Sequence, residues 1–123
     1  MDELEPVVDA SELIDLGKLL SAIHVDDTIA SYVVALCRAT REHEAFDLGA
    51  SPRASLGLFK AIRAKAAIDG RDYVRPDDVK ELARPVIGHR LVLNSTTRLR
   101  GRVTDDVLDE VIASVPVPIV DIR

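Results

Sequence analysis

The chain has 123 residues, 47% of them apolar but only 3% aromatic and none tryptophan, so it can bury a core but must build it from Leu, Ile, Val and Ala, which suits packed helices. A single cysteine, Cys37, excludes an internal disulfide, no apolar run approaches membrane-spanning length, and the acidic start MDELEPVVDA lacks the basic and apolar blocks of a secretion signal, so a reducing, cytoplasmic setting is expected. The net charge of −5 hides a segregation: positions 51–102 carry 12 of the 16 basic and 5 of the 21 acidic residues, net +7, and the remainder stands at −12.

Either the middle of the chain faces something negative, or its helix faces are solvated and attract the acidic flanks. In chain order, DASELIDLGKLLSAI predicts a first helix with Leu13, Leu16, Leu20 and Ile23 on one stripe and Asp9 and Glu12 placed as a capping box. DDTIASYVVALCRATRE predicts a second, capped by Asp26 and Asp27, with Ile29, Val33, Leu36, Cys37 and Thr40 on its buried face. On that stripe Cys37 reads as a small core residue and not as a nucleophile.

EHEAFDLGA reads as a connection. Ser51 then caps a third helix with Pro52 at its first position; it runs through RASLGLFKAIRAKAAID to Gly70, with Leu56, Phe59, Ile62 and Ala66 as the expected buried stripe and Arg53 and Lys60 on another face. A fourth helix, PDDVKELARPVI, opens at Pro76 and ends near Gly88, and Arg75 stands at its start as a poor cap. HRLVLN reads as a short extended segment with DYV as its partner, STTRLRGR as a basic turn, and DDVLDEVIASV as a last helix capped by Thr104 before the proline-spaced PVPIVDIR. The fold class is all-α: one domain, 1–123, a small bundle of about five helices with at most a minor strand pair.

Self-contained catalysis finds little support. LGKLL lacks the upstream glycine and the following Ser or Thr of a phosphate-binding loop. His24, His43 and His89 are scattered without metal-ligand spacing, so no metal site is expected, and REHE at 41–44 reads as a solvated helix end. Arg53 stands out. A cation at a helix start opposes the partial positive charge of the free N–H groups by about 0.3–1 kcal/mol, and a phosphate brought by another domain would compensate both. A guanidinium is always charged and presents a fork of donors to phosphoryl oxygens, so it can stabilise charge that builds during phosphoryl transfer. By itself, an exposed arginine tolerating a small penalty is the simpler account of Arg53.

The segment ATREHEAFDLGASPRASLGLFKAIRAKAAIDGRDYVRPDDVKELARPVIGHRLVL, 39–93, closely resembles the C-terminal lid of MoxR-family AAA+ ATPases, with Thr40-Arg41, GASPRASL, GRDYV before PDDV, HRLVL and the closing VLDEVIASVPVP as its landmarks. The resemblance covers the chain from about Val7 onward. It implies a helical lid packed beside a nucleotide-binding core, with Arg53 as the sensor-2 residue reaching the ATP phosphates and Ser51 at the same helix start. It further implies ATP and Mg2+ as cofactors of a parent ATPase, neither bound tightly by this chain alone, and a partner set made of the chain's own core, neighbouring subunits in a ring, often a hexamer, and a von Willebrand factor A domain protein. The parent would remodel or activate client proteins. The ATPase core has no counterpart here, so the chain is expected to be an excised lid without activity of its own.

Arg75 in place of a capping threonine and Gly88 before His89-Arg90 depart from the family pattern; the His-Arg pair matches the family, and the resemblance leaves a nucleotide contact and a structural or inter-subunit role both open for it. Two rivals remain from other classes. One is a free-standing module binding nucleic acid through the +7 segment, against which stand the scarcity of stacking aromatics and the lack of a concentrated basic helix face. The other is an adaptor that dimerises through exposed apolar helix faces.

Overall fold

The computed structural model describes residues 3–120. Asp26 adopts an extended backbone and its carboxylate accepts from the Thr28 N–H (2.9 Å), which starts α2, Asp27–Glu42. Its apolar residues recur every three to four positions, so Ile29, Tyr32, Val33, Leu36, Cys37 and Thr40 are all buried on one face. Cys37 is fully buried and its thiol is pushed up by desolvation, which suits a core residue. Ser51 caps α3, Pro52–Ile68, and the chain leaves this helix through Gly70 at φ +77°, a conformation that favours glycine.

α4 spans Pro76–Ile87 and α6 spans Thr104–Ser114. With α2 and α3 they enclose the core, to which α4 adds Val79, Ala83 and Ile87 and α6 adds Val107, Leu108 and Val111. Thr104 is the first residue of α6 and not its cap; Val103 occupies that position without a side-chain bond, and Asp105 and Asp106 supply the favourable first-turn charge.

The strand pair is present with a different partner. β1, Phe46–Leu48, lies within the expected connection and pairs antiparallel with β2, Val92–Leu93, with an irregularity between Phe46 and Leu48. The segment around Tyr73 instead bridges His24: the His24 N–H donates to Asp72 (2.8 Å) and the Val74 N–H to His24 (3.0 Å). The basic turn contains a short helix, α5, Ser95–Leu99, capped by Asn94, whose side-chain oxygen accepts the Thr97 N–H; the same side chain donates to the Glu44 carbonyl and so ties α5 to the segment before β1. Among the described residues six α-helices therefore stand where about five were expected, and the helical-lid fold class holds.

Two apolar stripes read from sequence are placed differently. α3 buries Ala54, Leu58, Ile62 and Ala66; Leu56 is exposed and Phe59 only half-buried. The first helix, α1, Ala10–Leu19, is capped by Asp9 as expected but buries none of its residues, and a 3-10 turn at Leu20–Ala22 joins it to the bundle. The Met1 start and the last residues of PVPIVDIR lie outside the described residues.

The poor cap at Arg75 is repaired from inside the helix. Asp78, 1% exposed, accepts from the Arg75 N–H (2.8 Å) and receives both guanidinium arms of Arg71 (2.8 Å each), while Arg71 also donates to Tyr73 and Asp69. Burial alone would raise the Asp78 carboxyl, but the Arg71 bonds and the Arg75 N–H outweigh it and hold the group below its usual range. A buried pair of this kind is costly to break from one side. Asp78→Ala is therefore expected to lower stability by about 3–5 kcal/mol in urea unfolding. Because the folded pKa is depressed, the wild-type contribution is complete above about pH 4, the unfolded carboxylate range, and disappears as pH falls through the folded value.

Candidate functional site

The start of α3 is held by the end of α2. Thr40, fully buried, donates its hydroxyl to the Cys37 carbonyl (2.6 Å) and accepts the Ala50 N–H (2.8 Å), and Arg41 donates to the Ala50 carbonyl (2.6 Å). Both backbone groups of Ala50 are thus gripped by consecutive residues of one helix. The approach is so close that a Cβ on Gly49 would lie 2.5 Å from the Arg41 Cα and N, so only glycine fits without backbone movement.

From this fixed point Ser51 turns the chain into α3. Its hydroxyl oxygen accepts the Ala54 N–H (3.3 Å), and its carbonyl accepts from Ala54 and Ser55. Pro52 has no N–H to give, so the helix start offers one donor without an acceptor among the described residues, the Arg53 N–H. That is fewer than the several free donors expected from sequence. Ser51 serves as the helix cap through its oxygen, and its hydroxyl hydrogen remains available as a donor.

Arg53 is exposed on the face of α3 opposite Ala54, Leu58, Ile62 and Ala66, and Lys60 follows two turns later on the same face. The two residues that sequence spacing placed together are brought together. Beside them runs an apolar groove of about 370 Å³ between α2 and α3, floored by Val33, Val34, Leu56 and Phe59 and edged by Pro52 and Arg41. Arg63 lies 4.7 Å over the Phe59 ring at the same edge. Among the described residues no carboxylate comes within ion-pairing distance of Arg38, Arg41, Arg53, Lys60 or Arg63.

Several other cations of the +7 segment are paired, although among the described residues Lys80, Arg90, Arg98 and Arg100 have no carboxylate partner. Arg84 pairs with Asp109 of α6 (2.6 Å), Arg102 with Glu110, and Lys65 with Asp69 (2.6 Å). Attraction between basic middle and acidic flank therefore accounts for Arg84 and Arg102, while the α2–α3 side carries a cluster of unpaired cations. The histidines are not gathered: His43 accepts the Ala45 N–H, His24 sits in its bridge, and His89 and Arg90 are exposed on the 3-10 turn after α4. Among the described residues no group of three or more His, Cys, Asp or Glu is placed to hold a metal ion, and no helix is long and apolar enough to cross a membrane. Sequence reasoning missed Leu56 and Arg41 as neighbours of the site; the four-residue spacing of Ala54, Leu58, Ile62 and Ala66 was the available signal for turning Leu56 outward.

Residues 38–111, which contain the clasp, the Ser-Pro-Arg start and α4, match the family model of the AAA lid domain. The chain belongs to this family. It is 35% identical over 119 residues to the YeaC protein of Bacillus subtilis, covering 97% of this chain and 37% of YeaC, and 33% identical over 125 residues to chaperone MoxR1 of Mycobacterium tuberculosis, covering 94% and 33%. The fold superposes with TM-score 0.82 at 25% identity on the crystal structure of a candidate ATPase from Cytophaga hutchinsonii, covering 88% of this chain and 36% of that one. The resemblance to MoxR lids is thereby established, and the lid spans about a third of the length of the curated relatives it matches.

The clasp gives a direct expectation for the lid. Thr40→Val keeps the shape but leaves the buried Ala50 N–H without an acceptor, so stability should fall by about 1–3 kcal/mol in thermal or urea unfolding. An unchanged midpoint would show that the clasp does not hold the start of α3.

Proposed function

We propose that this lid closes over ATP bound to the core of a MoxR-type AAA+ ATPase, with Arg53 as the sensor-2 residue that reaches the phosphates. The observation that carries the reading is Arg53 itself: an exposed, unpaired guanidinium at a helix start whose position is fixed by the Thr40–Arg41 clasp. A rigid mount matters because a charge that stabilises phosphoryl transfer acts only when held in place before the reaction. Ser51 stands beside it and offers a hydroxyl donor, and the Arg53 N–H offers one more.

This set fits an anionic phosphate edge and little else of a nucleotide. Mg2+ and the triphosphate would be held by residues outside this chain. When bound, ATP supplies the phosphoryl group; the lid's part is to place positive charge, exclude water and swing with the occupancy of the site. Ring assembly with neighbouring subunits, a von Willebrand factor A domain partner and remodelling of client proteins belong to the same proposal. Among the relatives, chaperone MoxR1 carries the word chaperone in its name.

In the complete parent enzyme, Arg53→Ala is expected to lower ATP turnover on the order of a hundredfold, since it removes a donor aimed at transition-state charge. Near-normal turnover would reject the sensor assignment. The lid by itself should show no submicromolar nucleotide binding by calorimetry, because one guanidinium and one free backbone N–H cannot surround a triphosphate; tight binding would place the nucleotide site within the lid.

A further inference from the structure

Beyond the C-terminal end of α2, a second cavity of about 340 Å³ opens between the α2–β1 turn and the α5 segment. Its wall is polar: His43, Thr96, Thr97, Arg100 and Arg102 line it, and it shares no residue with the groove beside Arg53. Asn94 holds the two sides together, donating its side-chain amide to the Glu44 carbonyl (2.6 Å) and its backbone N–H to the Ala45 carbonyl (2.9 Å). The chain turns at Gly101, φ +79°, which sets Arg100 and Arg102 on either side of the bend.

The uncommitted groups of this wall are mostly donors. His43 Nδ1 accepts the Ala45 N–H (3.0 Å), which assigns the ring hydrogen to Nε2. Glu110 of α6 bonds one guanidinium nitrogen of Arg102 and lies 4.0 Å from His43 Nε2, beyond hydrogen-bond reach. It therefore steadies the arginine without occupying the imidazole N–H. Arg100 has no carboxylate partner among the described residues. Thr97 gives the sharpest signal. It is 9% exposed and its hydroxyl bonds no described residue, yet that oxygen still reaches open space, and the space it lines is this cavity. A hydroxyl so placed costs free energy unless water or a ligand meets it. The Glu44 and Ala45 carbonyls are already taken by Asn94, so the cavity is short of acceptors. Glu44, exposed, is the one carboxylate among the lining residues.

We propose that this cavity binds a small phosphomonoester. A phosphoryl group brings three acceptor oxygens and a charge of about −1.5 to −2 at neutral pH. That matches two guanidiniums, two hydroxyls and an imidazole N–H better than a two-oxygen carboxylate does. The space exceeds a bare phosphate and leaves room for the esterified group. Unpaired charge alone does not select this place, since Lys80, Arg90 and Arg98 are equally unpaired; the enclosing wall and the Thr97 hydroxyl do. The inference is independent of ATP and of the sensor assignment of Arg53.

The test is a titration of the 15N-labelled 123-residue chain with glycerol 3-phosphate, inorganic phosphate and acetate, read by amide chemical shifts. Saturable shifts are expected at Thr96, Thr97 and Gly101, with glycerol 3-phosphate binding tightest and acetate weakest. Arg100→Ala, at an exposed position, should weaken ester binding on the order of tenfold, whereas Lys80→Ala removes the same charge from α4 and should change it less than about twofold. Thr97→Val keeps the shape and breaks no bond of the folded chain, so it should melt as wild type does and bind several-fold more weakly. Glu44→Gln should bind more tightly, because a repelling charge is gone. Absence of saturable binding, or shifts confined to Ser51–Arg53, would overturn the proposal. So would equal losses in Arg100→Ala and Lys80→Ala, weaker binding by Glu44→Gln, or inorganic phosphate or acetate binding as tightly as the ester.

Discussion

The grip of Thr40 and Arg41 on Ala50 is the contact on which the rest of this lid depends. It joins the end of α2 to the start of α3 across a connection that also contributes a strand, and it uses both the N–H and the carbonyl of one residue. A single bond would leave the chain free to rotate about it; two bonds from adjacent residues, with Gly49 pressed on the α2 backbone, leave one orientation. Everything that follows in sequence inherits that orientation: the Ser51 cap, the proline that starts α3 without wasting a donor, and Arg53 on the outward face. The short motif from Gly49 to Arg53 is therefore a mount first and a charged site second.

Charge is distributed by the same architecture. Where α4 meets α6 the basic and acidic segments face each other in exposed ion pairs, each worth little to stability. Where Arg71 meets Asp78 the pair is buried and ties the loop after α3 to the start of α4, replacing the cap that Arg75 lacks. On the α2–α3 face no acidic neighbour is supplied, so a positive, partly apolar surface remains. The net charge of −5 is thus a poor guide to what this face attracts, because the acidic residues that set it lie elsewhere in the chain.

Local chemistry in the sequence was enough to place Asp9 and Asp26 as caps, Ser51-Pro52 as a helix start, Gly70 as a stop and the buried face of α2. Each of these rests on neighbours within one helical turn, where residue type and backbone geometry are directly linked. The family resemblance supplied the lid fold and drew attention to Arg53, and it was carried by the same short motifs. α5 was not visible because a five-residue helix depends on Asn94, whose position is set by its bond to Glu44 fifty residues earlier.

What the sequence by itself determined, then, is where α1 to α4 begin and that Arg53 stands at one of those beginnings. Tertiary structure alone decided which apolar residues are covered. On α3 the small Ala54 and Ala66 are buried and the larger Leu56 is not, because neighbouring helices pack close against the small side chains; periodicity weighs hydrophobic bulk and pointed the other way. On α1 the periodicity was real but could not say that none of its residues is buried among the described residues. Strand pairing was likewise decided by distance in space: Phe46 meets Leu93 and Tyr73 meets His24 because packing of the four-helix core brings those segments side by side.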